Sequence, residues 1–283
     1  YVQSRNVRTF SNNSQMAQGE DSCWMVDADG EQFYGFPRFT ICGNWLDTDY
    51  VSTYYKLLRR MAETFGEFEH FKGVSNFIGP SQITDYYPPA FVIGNDWDNP
   101  LALSYDDQTF RAFAEETGRD LGIDTGDVQR FSKRAAAVRE DTDLRAAFFD
   151  FRCRKLRDFY AGATTAIDAE NNALLFLNVL TVEIPPFYHL LASSGRTFDE
   201  MMREMAIDIG LLGSIPNNVV VRWVISWRSK MGWPSQDPYA WMAKERDVVI
   251  SAFERQPRNI VLCRTSWDEN WHTAPGYIFN RAV

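Results

Sequence analysis

The segment ALLFLNVLTVEIPP, residues 173–186, constrains the fold more than any other stretch of this chain. An apolar run leads into Thr181, Val182 and Glu183, with Asn171-Asn172 before it and Pro185-Pro186 after it. A continuous apolar run of strand length, bounded by polar residues and prolines, is the pattern of a strand buried on both faces. Such strands belong to parallel sheets covered by helices. Glu183 then falls at the strand's carboxyl end, where open α/β sheets and (β/α) barrels place their chemistry. The competing reading is a loop carboxylate that caps or pairs locally.

The same pattern recurs. FKGVSNFI (71–78), NVVVRWVISW (218–227) and NIVLCRT (259–265) read as further strands, and a fifth is expected before residue 42. Helical stripes lie between them. One runs from a cap at Thr48 or Asp49 through Phe65 and stops at Gly66. Others cover 105–117 with Asp106 or Asp107 at the start, 127–139 capped by Asp127, and 142–169 capped by Thr142. Thr197-Phe-Asp-Glu200 forms a capping box for a helix through Ile207, and Asp237-Pro238 opens one to Arg255. The basic residues Arg145, Arg152, Arg154, Lys155 and Arg157 read as the solvated face of the 142–169 helix.

Strand and helix alternate, so the expected class is α/β with a (β/α) TIM-barrel-like architecture. A closed barrel needs eight strands. The barrel is therefore expected to be incomplete within this chain, with further residues or another chain completing the sheet. Residues 1–43 form an extended lead-in and a hairpin, turning at Asp27-Ala-Asp29-Gly30. Residues 44–283 form the partial barrel, with a long helical insertion at about 80–142. Within the insertion, the Pro- and Tyr-rich stretch after Gly79 is an ordered loop whose length points to function.

Composition excludes several classes. With 29 Lys+Arg against 38 Asp+Glu the net charge is −9, which argues against a nucleic-acid partner. There is no apolar run of about 18 residues, so no membrane span is expected. Cys23, Cys42, Cys153 and Cys263 form no CxxC pair, which removes zinc and thioredoxin-like readings. Cys153 and Cys263 read as buried free thiols, while Cys23 and Cys42 can pair in an exported protein. No GxGxxG, P-loop or GxSxG motif is present, and His70, His189 and His272 lack ligand spacing. Neither a cofactor nor a metal is expected.

What remains is carboxylates and aromatic rings. Glu183, Asp268 and Glu269 lie at or just beyond strand ends far apart in sequence. Glycosidic hydrolysis needs such a pair, one protonated and one ionised, roughly 5 to 9.5 Å apart. These three are the candidate catalytic residues. Nine Trp and twelve Tyr raise the aromatic content to 15%, and flat rings stack on the apolar faces of sugars. Trp97, Trp227, Trp267 and Trp271 are candidate platforms, with Asp96, Asp98 and His272 as hydroxyl partners. Asp106 and Asp107 read first as helix caps.

The segments NWLDTDYVSTYYKLLRRMAETFGEFEHFKGVSNFIG, SYDDQTFRAFAEETG, RCRKLRDFY and REMAIDIGLLGSIPNNVVVRW occur in that order between residues 44 and 272. Their order resembles that of the glycoside-hydrolase-like (β/α)8 proteins of bacterial secretomes. The long loop lacks the Trp- and Gly-rich stretch of those relatives. The resemblance implies a barrel, a carbohydrate partner and a secreted or cell-surface location. Two functions are expected from these readings: hydrolysis of a glycosidic bond, or non-catalytic carbohydrate binding by a surface protein of the same architecture.

Overall fold

The computed structural model describes residues 25–30, 44–78, 104–171, 173–183, 200, 203–204, 206–227, 260–267 and 277–278. Helix α1 (Thr48–Phe65) starts one residue earlier than its sequence signals suggest. Its cap is Asp47, whose side chain accepts from the Tyr50 N–H at 2.7 Å. Gly66 closes it by donating to the Ala62 carbonyl at 2.7 Å. Strand β1 (Gly73–Ile78) follows, and then α2 (Asp107–Thr117), which is capped by Asp106 and ended by Gly118 at φ 70. Only glycine takes that left-handed conformation at little cost.

Helix α3 (Arg130–Glu140) starts three residues beyond the Asp127 expected to cap it. Asp127 instead closes the turn before it, accepting from the Gln129 N–H at 2.8 Å. Helix α4 (Thr142–Asn171) is followed by β2 (Leu174–Glu183), the short α5 (Ile209–Gly213), and the strands β3 (Asn218–Trp227), β4 (Ile260–Trp267) and β5 (Tyr277–Ile278). The turn at 27–30 closes through Gly30 N–H to the Asp27 carbonyl, with Gly30 at φ 82. The helix expected over 237–255 lies outside the described residues.

Two apolar cores share one helix. Thirty residues at about 1.5 Å rise make α4 roughly 45 Å long. Its amino-terminal half sends Leu144, Phe148 and Phe151 into a core with Phe110 and Phe113 of α2 and Val138 of α3. The ring stack is tight, with Phe113 edge-on to Phe148 at 5.3 Å and to Phe151 at 5.4 Å. From Leu156 onward it sends Leu156, Phe159, Tyr160, Ala163 and Ile167 into a second core with Leu58 and Ala62 of α1 and the sheet residues Val74, Leu175, Leu177 and Val220.

The basic run on α4 is not simply a solvated face. Arg152 is buried, crosses the Phe148 ring at 5.7 Å and donates to the Glu204 carbonyl at 2.8 Å. Burial lowers its pKa, and its Nε finds no acceptor among the described residues. Arg154 and Lys155 reach α2, pairing with Glu116 at 2.8 and 2.6 Å. Cys153 is buried and free, and burial pushes its thiol up to about 12. Cys263 lies within β4; Cys23 and Cys42 lie outside the described residues.

The barrel expectation is corrected by the sheet. Its order is β1-β2-β3-β4-β5, with the first four strands parallel and β5 antiparallel to β4. A (β/α)8 barrel consists of parallel strands closed upon themselves. Here an antiparallel strand ends the parallel series, and among the described residues the sheet is open at β1 and β5. A helical body with its own core stands between β1 and β2 in sequence. The architecture is an open mixed sheet beside a helical body, rather than part of a barrel.

Candidate active site

Strands β2, β3 and β4 run parallel, so their carboxyl ends emerge at one edge of the sheet. Register fixes what meets there. Glu183 pairs with Ser226, Ser226 pairs with Ser266, and Trp227 pairs with Trp267. Neighbouring strands lie about 4.8 Å apart, so the backbones of Glu183 and Ser266 are separated by roughly 10 Å across the row. Asp268 and Glu269 follow Ser266 by two and three residues in the chain. Outside the carboxyl ends of parallel strands is where open α/β sheets bind ligands.

Of the sequence candidates, the structure thus brings Glu183, Trp227 and Trp267 to one edge. Asp96, Trp97, Asp98, Asp268, Glu269, Trp271 and His272 lie outside the described residues. His70 sits exposed in the turns after α1.

Sequence reasoning passed over two residues near this edge. Arg264 shares a row with Val224 and Thr181, two residues short of the Glu183 row. Arg222 lies two rows earlier, with Leu262 and Val179. The available signal was a single arginine inside each of two otherwise apolar strand runs.

The acids at the start of α2 form a separate cluster. Asp106 Oδ1 accepts from the Thr109 N–H at 2.7 Å and from Asn44 Nδ2 at 2.8 Å; its Oδ2 accepts from the Thr109 hydroxyl at 2.8 Å. Burial raises its pKa above the ordinary 3.8, and these hydrogen bonds from Thr109 oppose the shift. Asp107 pairs with Arg134 at 2.6 Å and with Arg130 at 3.0 Å. Arg134 also donates to the Tyr105 carbonyl at 2.9 Å. The chain's own donors occupy both carboxylates: Asp106 is the helix cap, while Asp107, offered as an alternative cap, is instead part of a buried ion pair. Sequence alone did not reveal their partners Asn44, Arg130 and Arg134, because each comes from another element.

Among the described residues no group of three or more His, Cys, Asp or Glu side chains is placed to hold a metal ion. Among them no helix is long and apolar enough to cross a membrane. Comparison with protein-family models, with curated proteins and with solved structures finds no match to this chain.

Proposed function

We propose that this chain hydrolyses a glycosidic bond at the carboxyl edge of its sheet, as a secreted or cell-surface protein. One observation carries the reading: Glu183 and the Trp227–Trp267 pair end three adjacent parallel strands at the same edge. In the reading, Glu183 is one carboxyl group and Asp268 or Glu269 the other. The acid gives its proton to the leaving glycosidic oxygen as the bond to the anomeric carbon breaks. The carboxylate either takes a proton from the attacking water or itself bonds to the anomeric carbon before water releases it. In both routes water's hydrogen and hydroxyl end on the two sugar products. Trp227, Trp267, Trp97 and Trp271 serve as ring platforms, and Asp96, Asp98 and His272 bind hydroxyls.

The paired tryptophans also favour a second reading. Two rings at adjacent strand ends suffice to bind a sugar with no carboxylate chemistry. A polysaccharide panel separates the two. Release of new reducing ends, lost in Glu269→Gln or Asp268→Asn, supports hydrolysis and identifies the partner of Glu183. Saturable glycan binding without any release supports the binding protein.

A further inference from the structure

We propose that Arg152 anchors a carboxylate-binding site, which takes a free small carboxylate or the carboxylate of a sugar acid. The site does not depend on the hydrolysis reading above. It starts from a buried charge without a counter-charge. Arg152 is only 6% exposed. Its Nη1 donates to a neutral acceptor, the Glu204 carbonyl, at 2.8 Å, and its Nε is buried with no hydrogen-bond partner. Cations around it find acids: Arg130 and Arg134 share Asp107, Arg154 and Lys155 share Glu116, and Arg203 pairs with Asp150 and Asp208. Among the described residues no ion pair includes Arg152. A buried guanidinium is costly unless an anion meets it.

The groups nearby do not meet that need. The Phe148 ring lies 5.7 Å from the guanidinium and offers a π-face rather than a hydrogen bond. Asp106 acts on Arg152 through space, but its carboxylate already accepts from the Thr109 N–H and hydroxyl and from Asn44. Burial lowers the arginine's pKa, yet a guanidinium does not shed its proton in response, as a lysine does. Only an anion answers the charge. The Nε belongs to the Nε–Nη2 edge, the side-on fork that holds two carboxylate oxygens in parallel. One guanidinium balances one carboxylate, whereas a phosphate dianion leaves excess negative charge beside Asp106.

The place of Arg152 in the fold also suits a ligand. Helix α4 ends where β2 begins, so it runs back along the sheet, antiparallel to the strands. Tyr160 marks a common level, because its hydroxyl accepts from Asn76 Nδ2 at 3.0 Å and Asn76 pairs with Leu177. From Tyr160, Arg152 lies roughly 12 Å along α4 at about 1.5 Å per residue. The same distance along β2, at about 3.3 Å per residue, reaches the level of Leu180 and Thr181. Arg152 therefore stands level with the carboxyl half of the sheet, the end at which open α/β sheets take ligands. Its surroundings are held in place: Arg203 pairs with Asp150, and Cys153 Sγ donates to the Arg203 carbonyl at 3.5 Å.

The test follows thermal unfolding of the full chain, dialysed free of carboxylates, phosphate and sulfate and held at constant ionic strength. Sodium acetate and sodium glucuronate are the probes, with sodium chloride and glucose as controls. The expected result is a saturable rise in midpoint of roughly 2–4 °C with a carboxylate at several times its Kd. A response to acetate shows that a free carboxylate suffices, and a response to glucuronate alone identifies a sugar acid. Arg152→Met should lose the response, yet unfold at or above the wild-type midpoint in carboxylate-free buffer, because an apolar chain replaces an unpaired buried charge. Arg152→Lys keeps the charge without the fork and should bind about tenfold more weakly. A wild type unmoved by both carboxylates, or moved equally by chloride, overturns the proposal. So does a full response in Arg152→Met, or a methionine variant well below wild type in carboxylate-free buffer, which assigns Arg152 a purely structural role. No polysaccharide cleavage is read, so each of these failures leaves the Glu183 reading standing.

Discussion

Arg134 Nη1 lies 2.6 Å from Asp107 Oδ1, and each side chain is only 4% exposed. The pair ties the start of α2 to α3. Removing the carboxylate leaves a guanidinium buried without its counter-charge. Asp107→Ala is therefore expected to cost about 3–5 kcal/mol, the usual penalty for breaking a buried pair on one side. Urea denaturation of the variant checks this, and a loss below about 1 kcal/mol would show that the pair contributes little.

Asp106 gives a pH-dependent prediction. Burial raises its folded-state pKa above the ordinary 3.8. The native state therefore keeps this proton to higher pH than the unfolded chain. Stability from this group is complete below 3.8 and falls as pH rises through the raised value. Asp106→Asn keeps the cap on Thr109 and does not titrate. Its urea midpoint, followed from pH 3.5 upward, should lack the part of the decline that the wild type shows. Asp106→Ala should lose the cap as well, about 1–2 kcal/mol.

Helices α1 and α4 touch at Gly162. A Cβ there would lie 2.2 Å from the Tyr55 hydroxyl, which donates to the Phe159 carbonyl at 2.7 Å. Gly162→Ala forces that ring to move and breaks the hydrogen bond. A loss of roughly 1–3 kcal/mol is expected. Tyr55→Phe removes the clashing oxygen, so the double variant should be less destabilised than the two single losses added together. A double-mutant cycle measured by denaturation reads the coupling, and strict additivity would contradict the contact.

Much of the local structure is legible in the sequence, and the reasons are physical. Strand β3 matches its apolar run from Asn218 to Trp227 because a strand between two others admits little else. Strand β2 ends at Glu183, just before the Pro185-Pro186 pair that cannot continue a ladder. The start of α1 is displaced only from Thr48 or Asp49 to Asp47, since three adjacent residues can all cap a helix.

The long-range architecture is another matter. Alternating strands and helices describe a closed barrel and an open sheet equally well, and the two-residue antiparallel β5 has no pattern of its own. Arg152 sits in a charge run that looks solvated. Its burial is decided by Glu204, 52 residues away, and by the Phe148 ring beneath it. At the candidate site, Glu183 was legible from its position at a strand end. Its row with Ser226 and Ser266 was not, because register is a property of paired strands.

The role proposed for Glu183 is chemistry at the carboxyl edge of the sheet. The most direct measurement compares wild type with Glu183→Gln on a cleaved polysaccharide, recording reducing-end release and glycan affinity together. Turnover should fall roughly 10²–10⁴-fold, the range of a positioned proton-transfer group, with affinity changed less than about twofold. Turnover undiminished in Glu183→Gln contradicts it.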